Sequence, residues 1–183
     1  MHETFLGQTM TDYLSGQPIE ATTYEDIRQA LARMLVEEKG YPRSQLQSKV
    51  PIRFTVDGQD VEHRVDLVAL DPQGQAVAII IFCAGDVLSY VRETVAAARL
   101  VPQGPASLAM VTDTQSAICV CVADGSVQYE GGYHALPTWS AMLDLARQCP
   151  PEELSAAKQN TEQRLLYTFR GLIGCCSDAC PGS

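Results

Sequence analysis

Residues 76–87 read AVAIIIFCAGDV, an unbroken apolar run from Ala76 to Cys83 that stops at Ala84 and Gly85. A run this short cannot span a bilayer. It is apolar on both faces, as a central strand covered from each side must be. Its flanks set the fold around it. Upstream, Asp71-Pro72-Gln73-Gly74 is turn chemistry. Before it, residues 61–70 (VEHRVDLVAL) and 49–56 (KVPIRFTV) read as two strands joined by Asp57-Gly58, a strong hairpin signal. Downstream, Asp86 is placed to cap a helix through about Val101, which Pro102, Gly104 and Pro105 break. Strands are expected again at 107–112 and 117–123, followed by an Asp124-Gly125 turn.

The remaining chain reads as helices and ends. Thr22 and Glu25 have capping-box spacing, which predicts a helix start there. Ile27, Leu31, Met34 and Leu35 continue it as one apolar stripe. Gly40 then supplies a left-handed stop, with Pro42 behind it. Pro137-Thr138 precede a short helix around Trp139 and Leu143, and Pro150-Pro151 are expected to start a last helix to about Phe169. Helix, three-strand meander, helix, two strands, helices: this order predicts an α/β fold with a mixed central sheet flanked by helices. Residues 1–21 read as a loosely held arm, 22–148 as the domain, and 149–183 as a final helix with a Cys-rich tail.

The composition narrows the function classes. Of the 183 residues, 46% are hydrophobic and 19% charged, enough apolar side chains for one domain with a real core. The net charge of −9 argues against a tight non-specific grip on nucleic acid, which needs Lys and Arg to displace counterions. The first residues lack the basic start and apolar core of a secretory signal, so a cytoplasmic protein without membrane association is expected. Phosphate-binding Gly-rich loops, G-x-S-x-G and H-E-x-x-H are absent from the sequence.

Several stretches resemble the N-terminal domain of type I restriction enzyme R subunits, within the PD-(D/E)XK nuclease superfamily. They are YEDIRQALARMLVEEKGYPRSQL, KVPIRF, HRVDLVALDPQGQAVAIIIFCAGDV and LAMVTDTQSAICVCVADG, which span about residues 24–125. The resemblance implies a restriction-endonuclease-like core. It implies an active site made by an Asp on the second strand and Glu-x-Lys on the third. Two carboxylates would hold Mg²⁺, which prefers oxygen ligands, and the metal would activate water. The family Asp falls on Asp66. The Glu position is Phe82, the Lys position is Ala84, and the helix glutamine that the family carries falls on Ala96. Phe82 and Ala84 keep the spacing that puts both on one strand face, but neither binds metal or moves a proton. The chain is therefore expected to be a non-catalytic relative with a vestigial site, acting in binding or regulation without a cofactor. An unknown protein partner or a second copy is expected; the resemblance leaves DNA as a possible ligand, which the acidic charge disfavours.

Two alternatives remain open at this point. In one, the chain is a divergent Mg²⁺-dependent DNA endonuclease that uses Asp66 with a migrated carboxylate, Glu25 or Asp86. The bland readings make Glu25 and Asp86 helix caps and Glu93 a solvated helix face. For Asp66 the bland reading is a pair with Arg64, Arg53 or a backbone N–H, and His63 reads as a surface strand residue. In the other alternative, Cys175, Cys176 and Cys180, with Cys149 upstream, bind metal or sense redox state. Their spacing lacks paired C-x-x-C, which favours plain thiols. Cys119 and Cys121 alternate along a strand and read as small core residues, as does Cys83.

Overall fold

The computed structural model describes residues 4–174. Eight strands and four α-helices follow in the order β1 (Phe5–Thr11), β2 (Pro18–Thr22), α1 (Glu25–Glu37), β3 (Leu46–Val56), β4 (Gln59–Leu70), β5 (Ala76–Phe82), α2 (Val87–Leu100), β6 (Leu108–Thr112), β7 (Ser116–Cys121), β8 (Val127–Gly132), α3 (Trp139–Gln148) and α4 (Ala156–Gly174). Strands β3 to β8 form one six-stranded sheet in sequence order, and β1–β2 form a separate hairpin. Only β5 and β6 pair in parallel, because α2 carries the chain back between them. The expected mixed α/β sandwich is thus present.

The sheet separates two apolar layers. On one side α1 and α3 contribute Leu31, Leu35, Met142 and Ala146, packed on Leu67, Ala69, Ala78, Ile80 and Met110. On the other side α2 and α4 contribute Val95, Ala96, Ala97, Ala98 and Leu166, packed on Val68, Ile79, Val111 and Ile118. Alternation along β5 sends Ala78 and Ile80 one way and Ile79 and Ile81 the other, which explains its unbroken apolar sequence. The three alanines of α2 are fully buried, so that helix lies close on the sheet. Ala96 stands in a contact layer with no space for a glutamine side chain.

Asp57 (φ 50°) and Gly58 (φ 79°) form the β3–β4 turn in left-handed conformation, as their sequence predicts. Counting back along the ladder, Val50 faces Val65 and Ser48 faces Leu67, which sets Lys49 opposite Asp66. At this point the two strands kink together. Lys49 adopts φ 53°, rare for a side-chain-bearing residue. Leu46 and Leu67 lie in the α1 layer, whereas Val50 and Val65 lie in the α2 layer despite the same alternation phase. The kink therefore turns both Lys49 and Asp66 toward α1.

Three local expectations differ from the structure, and one strand was not foreseen. Residues 1–21 contain the β1–β2 hairpin, whose turn is pinned: Asp12 accepts from Gln29 Nε2 (2.9 Å), Ser15 N (2.7 Å) and Ser48 Oγ (3.1 Å). The capping box does not form, because Thr22 ends β2 and Tyr24 precedes α1 without a side-chain cap. The last helix starts at Ala156 instead of Pro150, with Ser155 Oγ accepting from Lys158 N. Strand β8 had no expectation; Gly131 and Gly132 at its end obscure its period.

Candidate functional site

Followed back along β4, strands β4 and β5 pair from Leu70↔Ala76 to Leu67↔Ile80 and then part. Where they part, Asp66 Oδ2 accepts from the Phe82 backbone N–H at 2.8 Å, in place of a ladder bond. Its other oxygen meets Arg28 Nε of α1 at 2.7 Å. The backbone partner fulfils one expectation. The arginine corrects another, since Arg53 and Arg64 both pair with Glu62 (2.9 and 2.8 Å).

Glu25 stands beside this pair, one helical turn before Arg28. It is 1% exposed and its carboxylate faces the cleft, which corrects its reading as a helix cap. Lys49 Nζ approaches its Oε2 at 2.8 Å, and Arg28 Nη1 lies 3.8 Å from the same oxygen. Gln29 Nε2 donates to Oε1 at 2.9 Å, linking the cluster to Asp12 under the hairpin. Glu20, Thr22, Glu25, Arg28, Lys49, Arg64, Val65 and Asp66 line one open cleft of about 360 Å³. The acids and bases alternate: Glu25 with Lys49 and Arg28, Asp66 with Arg28. Both carboxylates are met by cations from within the chain, but the buried Glu25 Oε2 makes its contacts with Lys49 and Arg28 without hydrogen-bond geometry.

Phe82 and Ala84, at the positions the resemblance gives to Glu and Lys, do not line this cleft. Phe82 is buried, with its ring centroid 5.6 Å from that of Tyr24. Ala84 is exposed in the bend after β5. Because the strand ends at Phe82, the shared strand face expected for these two residues does not exist. Asp86 caps α2, accepting from Leu88 N (3.3 Å) and Ser89 Oγ (3.0 Å), and does not line the cleft. Of the two candidate migrated carboxylates, the structure brings Glu25 alone to Asp66. Lys49 and Arg28 had no place in the sequence reading. The two-residue Asp57-Gly58 turn was the available signal for Lys49, since it fixes which residue faces Asp66.

The remaining candidates lie elsewhere. Cys83, Cys119, Cys121 and Cys149 are buried thiols; burial pushes Cys83 up to about 11 and Cys119 and Cys149 up to about 12, so they are poor ligands and nucleophiles at neutral pH. Cys175, Cys176 and Cys180 lie outside the described residues. Among the described residues no three His, Cys, Asp or Glu side chains are grouped to hold a metal ion. No helix among them is long and apolar enough to cross a membrane. Glu93 and His63, expected at the surface, are instead largely enclosed between α2 and β4 (side chains 7% and 15% exposed).

Comparison with curated proteins and with solved structures found no match. The family described as type I restriction enzyme R protein N terminus matches residues 23–137. That segment begins just before α1 and ends after β8, so it contains α1, the whole six-stranded sheet and α2, and with them Glu25, Arg28, Lys49, Asp66 and Phe82. By this match over well more than half of its length, the chain belongs to the family of type I restriction enzyme R protein N-terminal domains.

Proposed function

We infer that this domain is a non-catalytic, PD-(D/E)XK-like member of its family, acting in binding or regulation. One observation carries the reading. Internal cations hold both cleft carboxylates, Asp66 by Arg28 and Glu25 by Lys49, while the catalytic-strand positions carry Phe82 and Ala84. A metal would have to displace an arginine at 2.7 Å and a lysine at 2.8 Å to gain two carboxylates. Phe82 also fills, with an apolar ring, the place where the fold would otherwise bury a carboxylate without a partner, at a cost of a few kcal/mol. The residual function is then recognition. The net charge of −9 favours a protein partner over nucleic acid, and β1 presents Phe5 and Leu6, each about half exposed.

A second reading is favoured by the composition of the cleft itself. Glu25, Asp66 and Lys49 together offer two carboxylates and an ammonium to one ligand, the residue types a divergent Mg²⁺-dependent DNA endonuclease would use. Plasmid cleavage separates the two. Supercoiled plasmid incubated with the full chain in Mg²⁺ or Mn²⁺ is expected to stay intact, as with Asp66→Ala. Nicking that disappears in Asp66→Ala and Lys49→Ala establishes the second reading instead.

A further inference from the structure

We propose that His63 and Glu93 form an enclosed pair that carries a single proton, on Glu93, through the mildly acidic to neutral range, joining α2 to β4 as two neutral groups. The placement starts from the sheet. Ile52 and His63 are register partners, and Ile52 belongs to the α2 layer, so His63 points into that layer. Glu93 comes from the facing side of α2 and is 5% exposed. His63 Nδ1 lies 3.9 Å from Glu93 Oε1. The outer atoms, His63 Nε2 and Glu93 Oε2, are buried without a hydrogen-bond partner.

This geometry decides the charge state. An imidazolium–carboxylate pair removed from water is stable only with close contact and with its remaining lone pairs and protons satisfied. At 3.9 Å the contact is longer than a hydrogen bond, and both outer atoms are unsatisfied. The neutral acid and neutral imidazole avoid that penalty. Among the described residues no other charge compensates. Tyr90, from the same helix, is neutral, and β5, β6 and β7 offer no charged side chain. The Cys83 thiol that follows β5 is itself pushed up by burial to about 11. On α4, Glu162 is taken by Arg92 and Arg99, and Arg164 by Asp57. Burial raises the Glu93 pKa from 4.5 to about 7 and lowers that of His63 below 6.5.

The two titrations oppose each other. Unfolded Glu93 releases its proton near 4.5 and folded Glu93 near 7, so Glu93 alone makes stability fall as pH rises through that window. Unfolded His63 binds a proton below 6.5 and the folded residue resists it, so His63 alone makes stability fall as pH drops below 6.5. Below 6.5, over the range in which folded His63 stays neutral and unfolded Glu93 is ionised, the slopes offset, and there the pair leaves the fold insensitive to pH.

Urea unfolding of the full chain from pH 4.5 to 8, with His63→Gln and Glu93→Gln, tests this. His63→Gln is expected to expose the Glu93 slope, its folding constant dropping about tenfold or more from pH 4.5 to 7.5. Glu93→Gln is expected to lose stability in the opposite direction, below pH 6.5. Parallel profiles for all three proteins overturn the proposal. Imidazole NMR on the unaltered chain gives an answer that needs no variant. A His63 midpoint below 6.5 supports the neutral pair, and a midpoint at or above 6.5 reports an ion pair and overturns it.

Discussion

Asp66 keeps a carboxylate at the site but works as a structural acceptor. It closes the end of the β4–β5 ladder through Phe82 N–H and holds α1 through Arg28. Asp66→Ala strands both partners and is expected to destabilise the domain by roughly 2–4 kcal/mol in chemical denaturation. Lys49 gives a sharper test, because two costs meet there. Replacing it by Ala leaves Glu25 short of a cation and keeps a side chain at φ 53°. Replacing it by Gly loses the same charge but removes the Cβ penalty. Lys49→Gly is therefore expected to be more stable than Lys49→Ala by about 1 kcal/mol, the reverse of the usual order within a strand. Denaturation midpoints of the two variants decide it. At this scale the sequence showed Phe82 and Ala84 where the resemblance places Glu and Lys, and Asp66 where it places the Asp. It did not reveal Arg28 or the burial of Glu25, because a helix beginning Glu-Asp-Ile-Arg looks solvated until the fold lays that face over a kinked strand pair.

The elements differ in how they are fastened. Helix α4 is held to α2 by Glu162, 2% exposed, which meets Arg99 at 2.6 Å and Arg92 at 3.1 Å. Arg99 also donates to the Val122 and Ala123 carbonyls, tying the helix pair to the end of β7. Glu162→Ala leaves Arg99 enclosed without its carboxylate. It is expected to cost on the order of 3 kcal/mol, with amide exchange rising first in α4 rather than in the sheet. The β1–β2 hairpin depends on Asp12. Burial alone would raise the pKa of Asp12, but hydrogen bonds from Gln29, Ser15 and Ser48 outweigh it and hold it below 3.8. A depressed carboxylate gives stability that is complete above its unfolded value and lost as pH falls through the folded one. Acidification below 3.8 is expected to release hairpin amides to exchange before the six-stranded sheet opens. Elements with their own punctuation were legible: the Asp57-Gly58 turn, the Asp86 cap and the Gly40 stop all sit where the sequence puts them. The hairpin and β8 were not. Their strands are short, contain or adjoin glycine, and take their order from neighbours rather than from an apolar period of their own.

Across the whole molecule, the sheet order and the two apolar layers follow from one unbroken central strand and the turns around it, so the fold class could be read before any contact was known. The state of the cleft could not. It depends on four charges contributed by α1, β3 and β4, separated by up to 41 positions in the chain and joined only by register and packing. We infer that these charges neutralise one another in place of a metal ion. Calorimetric titration of Mg²⁺ and Mn²⁺ into the full chain, alongside Asp66→Ala and Glu25→Gln, measures that most directly. No heat that depends on Asp66 or Glu25 is expected. Saturable binding of either cation, abolished in both variants, would contradict that inference and make the cleft a metal centre.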